Sequence, residues 1–187
     1  MTDQNVRWGV IDEESIAEAQ ALIGVPLRRD RMRWNQTATA DAIRQFCEGV
    51  GDDNPLWADS VYATSSRWQG QLATPAFLYS IDATIVAPKL PGVQWIYAGT
   101  RWRWYDVVRV NDEFDVTAKL TDMQEKQGRR FGLWVLQTGE IEFHRPNGSL
   151  VCIAQGRVAR TPRRKRSTSV EAAKDSKTDS TAEASVT

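Results

Sequence analysis

The stretch that decides the fold reads FCEGVGDDNPLWAD at residues 46–59 and resumes as ATPAFL at residues 73–78. Glycine and proline are so dense in the first segment that a helix entering it must end there. In the second segment, Thr74 and Pro75 form a helix start signal, with threonine at the N-cap and proline at the first helical position. The longest apolar stretch follows, and it predicts a helix over residues 76–87 that is buried nearly all round.

The second half of the chain has the pattern of strands joined by hairpins. Over residues 113–124 and 130–143 apolar residues alternate with polar ones, which is typical of strands with one face in a core. The predicted strands cover residues 93–105, 113–124, 130–143 and 150–159. Asn147-Gly148 between the last two is a hairpin signal. Together these features predict a single α+β domain in which an antiparallel sheet wraps around a central helix.

Composition excludes several classes of protein. The 187 residues have zero formal net charge, so nothing global points to nucleic acid or to a membrane surface. No apolar run reaches the about 18 residues of a spanning helix, and the first residues do not read as a secretory signal, so we expect a cytoplasmic protein. The two cysteines, Cys47 and Cys152, form neither a disulfide framework nor a metal set and are expected to be buried free thiols. We therefore predict no metal and no cofactor.

The chain is unusually rich in tryptophan. Its eight tryptophans stand at positions 8, 34, 57, 68, 95, 102, 104 and 134. Large aromatic side chains are enriched in cores and at subunit interfaces, which is the simpler interpretation, and a ligand-stacking role is the alternative.

The character of the chain changes after Thr161. A basic run at residues 163–166 is followed by a segment without any aromatic residue, dominated by small, polar and charged residues. Such a segment cannot bury enough apolar surface to offset its ordering entropy. The sequence therefore predicts a folded domain over residues 8–161 and a disordered C-terminal tail over residues 162–187.

The decisive stretch resembles the motif of the MaoC-like (R)-specific enoyl-CoA hydratases and 3-hydroxyacyl-thioester dehydratases. In that family Gly-Asp-x-Asn-Pro-aliphatic-His is followed by a short helix, a glycine, an alanine and the central helix of a hot-dog fold. In this chain Ala-Thr-Pro, residues 73–75, precedes that helix. This is similar to the N-terminal-type hot-dog domain, in which Ala-Pro-Pro precedes the helix. A second match lies at YAGTRWRWY, residues 97–105, and at residues 110–112, where Asn111 stands in place of the usual glycine.

The resemblance implies the addition of water to a 2-enoyl thioester, or the reverse elimination. The family uses its Asp, and a His five residues later, to hold one water between them and move its proton. A backbone N–H at the start of the buried helix stabilises the charge on the thioester oxygen. Carried over, the resemblance implies catalytic roles for Asp52 and Asn54. It implies substrate-binding roles for Trp57, Thr74, Ala76 and Phe77.

The sequence departs from this motif where the chemistry is most demanding. Trp57 stands at the position of the His, and an indole cannot accept a proton. Pro75 has no N–H, although Ala76 still offers one. Asp52 has an alternative interpretation as a turn cap, and Trp57 as part of the core. The single histidine, His144, lies beside the last hairpin and is predicted to be an exposed turn-edge residue rather than a catalyst.

Three functional hypotheses follow. The first is a subunit of a heteromeric hydro-lyase whose partner, a second hot-dog chain, supplies the catalytic pair. The second is a self-sufficient homodimeric enoyl-CoA hydratase that uses Asp52, and the third is a non-catalytic hot-dog protein that binds acyl-CoA. All three imply an acyl-CoA or acyl-carrier thioester as ligand, and the strand-rich half with its tryptophans predicts a dimer.

Overall fold

Residues 8–27 and 35–162 are described by a computed structural model. In chain order the elements are α1 (Glu13–Gln20), β1 (Pro26–Leu27), α2 (Ala40–Val50), α3 (Pro55–Ala58), α4 (Ser60–Ser65), a 3₁₀ helix (Pro75–Ser80), β2 (Gln94–Trp104), β3 (Asp115–Gly128), β4 (Gly132–His144) and β5 (Leu150–Thr161). Residues 163–187 of the predicted tail lie outside the described residues, so the tail and the domain limits stay predictions.

The five strands form one antiparallel sheet in the order β1-β3-β4-β5-β2. β3, β4 and β5 follow one another as hairpins, and the Asn147-Gly148 turn is closed by the Gly148 N–H, which donates to the Arg145 carbonyl at 2.8 Å. β2 forms one edge of the sheet and pairs with β5 alone among the described strands. The α+β prediction with a wrapped antiparallel sheet is confirmed.

The first two long helices begin at side-chain caps. Asp12 caps α1 in a capping box with Ser15, whose N–H donates to the Asp12 carboxylate at 2.9 Å. Thr39 caps α2 by accepting from the Ala42 N–H at 3.2 Å. Gly51 ends α2 with a φ of 71°, a left-handed conformation that glycine adopts without steric cost.

The central helix is much shorter than the apolar pattern predicts. It is a 3₁₀ helix of six residues, Pro75–Ser80. The prediction that this helix extends to residue 87 is therefore wrong. The Asp82 carboxylate accepts the Thr84 N–H at 2.7 Å, a local turn that competes with helical bonding. Thr84 has a φ of 57°, a left-handed value that does not occur within a right-handed helix. The apolar pattern nevertheless indicates burial correctly, because Ile81 and Val86 are 2% exposed.

Two facing glycines of the sheet allow the irregular segment after this helix to lie directly on the strands. Gly139 of β4 and Gly156 of β5 are register partners. A Cβ atom at Gly156 would stand 1.9 Å from the Thr84 carbonyl oxygen, and one at Gly139 would stand 2.1 Å from the Val86 Cβ. An α-helix with its side chains is about 10–12 Å across and could not bring its backbone this close.

A buried arginine holds the end of the same segment. Arg160 of β5 is 5% exposed, and burial lowers the pKa of its guanidinium, which stays charged at neutral pH. The guanidinium donates to the carbonyl oxygens of Ala87 at 2.9 Å, Lys89 at 3.3 Å and Leu90 at 2.5 Å, and to Gln137 Oε1 at 3.0 Å. No carboxylate pairs with it within the part of the chain that the structure describes.

A chain of hydroxyl groups ties the 3₁₀ helix to the inner face of β2. Trp102 Nε1 donates to the Tyr79 hydroxyl at 3.2 Å, which lies 3.1 Å from the Tyr97 hydroxyl. Tyr97 donates to Thr100 Oγ1 at 2.7 Å, and Thr100 bonds Thr84 at 2.9 Å. Tyr97 and Trp102 therefore point to the helix side of the sheet.

The prediction for the two cysteines agrees with the structure. Cys47 and Cys152 are free and buried as predicted, and burial raises the pKa of the Cys152 thiol to about 12. Within residues 8–27 and 35–162, no helix has the length and apolar character that crossing a membrane requires.

Candidate functional site

Asp52 lies in the loop that follows the left-handed Gly51. Its N–H donates to the Cys47 carbonyl at 2.9 Å, and its carboxylate accepts the Asn54 N–H at a long 3.4 Å. Asx turns of this kind shape loops, so the turn-cap interpretation of Asp52 has geometric support. The side chain is half-buried, and the carboxylate keeps acceptor capacity for a further donor.

Asn54 is used as a helix cap. Its Oδ1 accepts the Leu56 N–H at 3.0 Å at the start of α3, and Pro55 occupies the first helical position. The cap explains why Asn-Pro shapes this loop. It gives Asn54 a loop-shaping role and places its side chain at the surface.

Trp57 on α3 is half-buried, and its carbonyl oxygen accepts from Gln71 Nε2 at 2.6 Å. Its indole Nε1–H is buried and has no hydrogen-bond partner among the described residues. A buried donor without an acceptor costs about 1–3 kcal/mol, so this N–H is available to an acceptor that a ligand or subunit brings.

The three predicted residues at the start of the central helix have different environments. Thr74 is the N-cap residue and is 4% exposed, but its side chain makes no cap hydrogen bond. Ala76 is exposed. Phe77 is fully buried and packs edge-on against Phe46, with ring centroids 5.7 Å apart. Phe77 is therefore a core residue in this chain.

Cys47 connects the Asp52 loop to the start of the central helix. Burial raises the pKa of the Cys47 thiol, the charge of Asp52 raises it further, and a backbone hydrogen bond with Thr74 acts in the opposite direction. The thiol is thus kept neutral, which makes it an apolar spacer rather than a nucleophile.

A pocket of about 270 Å³ lies between α3, residues 66–75 and the end of β2. Its lining is almost entirely apolar, with one arginine and one aspartate. The lining residues are Leu56, Trp57, Arg67, Trp68, Leu72, Ala73, Pro75, Trp104, Asp106, Val107 and Val108. Of the predicted site residues, the structure brings only Trp57 into this pocket, and neither Asp52 nor Asn54 lines it. The tryptophan spacing is the one sequence signal that could have indicated it.

Arginines fix two walls of the pocket. Arg109 Nη1 donates to the Trp68 carbonyl at 2.9 Å. Arg145 forks onto Asp112 and also reaches Asp106 Oδ2 at 2.8 Å, and its hydrogen bonds with Asp112 and Asp106 raise its pKa. Asn111, just before Asp112, has a φ of 69°, which explains why glycine is usual in this turn and why asparagine replaces it.

His144 does not line this pocket. It is half-buried at the end of β4, somewhat less exposed than predicted, and its Nε2 lies 3.0 Å from Glu142 Oε2. The hydrogen bond with His144 lowers the pKa of the Glu142 carboxyl. Among the described residues, no cluster of three or more histidine, cysteine, aspartate or glutamate side chains could hold a metal ion.

Comparison with known proteins identifies the family. The model of the FAS1-like dehydratase domain region matches residues 21–154. The chain belongs to this dehydratase family. No curated protein matches its sequence.

Three solved structures illustrate the fold. The ChsH1-ChsH2 complex from Mycobacterium tuberculosis aligns at 17% identity with a TM-score of 0.62, covering 82% of this chain and 93% of that chain. The HadBC 3R-hydroxyacyl-ACP dehydratase complex of the same organism aligns at 14% with a TM-score of 0.57, covering 74% and 96%. The MaoC-like dehydratase from Rhodospirillum rubrum aligns at 21% with a TM-score of 0.56, covering 76% and 94%. The predicted family and single hot-dog fold are confirmed.

Proposed function

We propose that this chain is one subunit of a heteromeric hydro-lyase that interconverts 2-enoyl and 3-hydroxyacyl thioesters and that it lacks the complete catalytic pair. The observation that carries the proposal is Trp57, five residues after Asp52, where the family places its His. Its indole donates a hydrogen bond but cannot accept a proton from water. Asn54 caps α3, and Asp52 closes its own loop.

Hydration of an enoyl thioester requires a base for the water and an acid for the α-carbon. The nearest alternative base by residue type, His144, bonds Glu142 and is absent from the pocket lining. A second hot-dog chain that retains Asp-x-Asn-Pro-x-His would supply both groups. Two-chain complexes occur among structures of this fold, since ChsH1-ChsH2 and HadBC are both such complexes.

The edge strand β2 supports assembly with another subunit. Alternation along the strand places Trp95 on the same inner face as Tyr97, and Trp104 on the same face as Trp102. Trp95 is 55% exposed, Tyr97 45% and Trp104 36%. A long aromatic edge strand exposed to water tends to pair with another chain. We propose that a second hot-dog subunit covers the Trp95–Tyr97 end of the strand, which does not line the pocket.

We expect sedimentation at micromolar concentration to show a dimer, either of this chain or with its partner. Trp95→Glu should weaken that dimer about tenfold or more, because buried tryptophans are frequent interface hot spots. Tyr62→Glu is the matched control, since Tyr62 is 50% exposed on α4 and away from the sheet edge. A folded monomer of the unchanged chain, alone and mixed with its partner, would contradict the assembly.

Loss of enoyl-thioester absorbance from crotonyl-CoA, or from a longer enoyl-CoA, tests the reaction. We expect this chain alone to be inactive, and its mixture with a partner that retains the full motif to be active. In that mixture Asp52→Ala should reduce turnover less than about threefold, like the neighbouring control Asp53→Ala. The same change at the partner's catalytic aspartate should abolish turnover, because general acid–base groups contribute about 10²–10⁴-fold.

Other outcomes would select the other hypotheses. Robust turnover by this chain alone, lost in Asp52→Ala, would contradict the proposal and favour the homodimeric hydratase. Tight binding of acyl-CoA without turnover in any mixture would favour the non-catalytic acyl-CoA-binding protein.

A further inference from the structure

We propose that the pocket beside Trp57 binds a small amphipathic carboxylate, with a flat apolar body among the tryptophans and its carboxylate at Arg67. The proposed function also rests on Trp57, which lines this pocket, but the binding proposed here involves no hydration step and is measured without turnover. We expect the full chain to bind this ligand without a partner subunit.

The lining sets the nature of the apolar body. Trp57, Trp68 and Trp104 present aromatic rings, and Leu72 and Val108 complete an apolar wall. Aromatic rings favour flat partners that stack or meet them edge-on. An apolar cavity of about 150 Å³ holds benzene, so the 270 Å³ of this pocket suits about two fused rings.

The charge in the pocket selects an anion. Arg67 is exposed, its guanidinium carbon lies 4.6 Å from the centre of the Trp68 ring, and it forms no ion pair with any described residue. The aspartate of the lining does not compete for it, because Asp106 accepts from Arg145 at 2.8 Å and from the Val107 N–H at 2.8 Å. These hydrogen bonds lower the pKa of the Asp106 carboxyl, and the bond from the Val107 N–H has the larger effect. The Arg67 cation therefore remains available to a carboxylate of the ligand.

The walls are held in place before any ligand enters. Gln71 Nε2 donates to the Trp57 carbonyl at 2.6 Å, and Arg109 holds the Trp68 carbonyl at 2.9 Å. Fixed walls reduce the ordering cost of binding, which favours a rigid, flat ligand over a flexible chain.

The probe is 2-naphthoate, and its neutral comparison is 2-naphthamide. Titration of the full chain, followed by calorimetry and by quenching of tryptophan fluorescence, should show saturable binding of naphthoate at a single site. Arg67→Gln should weaken naphthoate about threefold to fivefold, the range of an exposed ion pair, and leave naphthamide unchanged. Trp68→Ala should weaken both ligands about tenfold or more, because the stacking surface is lost.

Arg101→Gln is the matched control, because Arg101 is an exposed arginine of β2 that does not line the pocket. The thermal transition of each variant verifies that it is folded. No saturable naphthoate binding by the unchanged chain would overturn the site. Equal loss of naphthoate binding in Arg67→Gln and Arg101→Gln would overturn the role of Arg67. Loss in Trp68→Ala without any effect of Arg67→Gln would overturn the anionic ligand class.

Discussion

Gly156→Ala is expected to lower the free energy of unfolding by about 3 kcal/mol or more. Overpacking of a core costs about 1–3 kcal/mol even where side chains can shift. Here the added Cβ would stand 1.9 Å from the Thr84 carbonyl oxygen, which is backbone. The segment cannot easily move away, because Thr84 is fully buried and bonded to Asp82 and Thr100.

Denaturation in guanidinium at fixed protein concentration measures this loss as a shifted midpoint with an unchanged slope. The matched control is Gly49→Ala in α2, where an added Cβ meets nothing within 4 Å. That change should stabilise the chain by about 0.5–1 kcal/mol, because alanine has the higher helix propensity. A Gly156→Ala variant as stable as the unchanged chain would show that the segment does not lie on the sheet as described.

Arg160→Met is expected to cost about 3–5 kcal/mol of unfolding free energy. Methionine fills similar space but leaves the carbonyl oxygens of Ala87, Lys89 and Leu90 without their donor. Each buried polar group that loses its partner costs about 1–3 kcal/mol. Relief from burying a charge offsets part of that sum, because the Arg160 guanidinium is buried without a described counter-charge.

The control for Arg160 is Arg101→Met, which removes an exposed arginine from the same sheet and should change stability by less than about 0.5 kcal/mol. The loss of unfolding free energy in Arg160→Lys should lie between those of Arg160→Met and Arg101→Met, because an ammonium keeps the charge but lacks the planar fork of donors. Equal stability of Arg160→Met and Arg101→Met in urea denaturation would contradict the structural role of the buried guanidinium.

Local sequence signals predicted the strands and the family. The apolar alternation over residues 113–124 and 130–143 predicted β3 and β4, since a strand turns successive side chains to opposite faces. The spaced positions around Asp52, Asn54 and Pro55 pointed to the family that the domain model confirms.

For the candidate site, the sequence alone predicted only part of what the structure shows. The sequence showed that Trp57 replaces a proton acceptor, because that follows from the residue type alone. It did not show the pocket, whose lining residues lie between positions 56 and 108 and meet only in the folded chain. The resemblance implies substrate binding for Phe77, and the structure places its ring in the core against Phe46.

The sequence by itself determined the strands of the sheet, the family and the missing histidine, since each depends on nearby residues or on residue chemistry. Only the tertiary structure decided the length of the central helix. Residues 81–87 are apolar enough for a buried helix, but burial is satisfied equally well by an irregular segment. The non-helical conformation is stabilised by Gly139, Gly156 and Arg160, which are distant in sequence from this segment. The glycines leave room for a backbone lying on the sheet, and the guanidinium supplies donors that the carbonyl groups of an irregular segment otherwise lack.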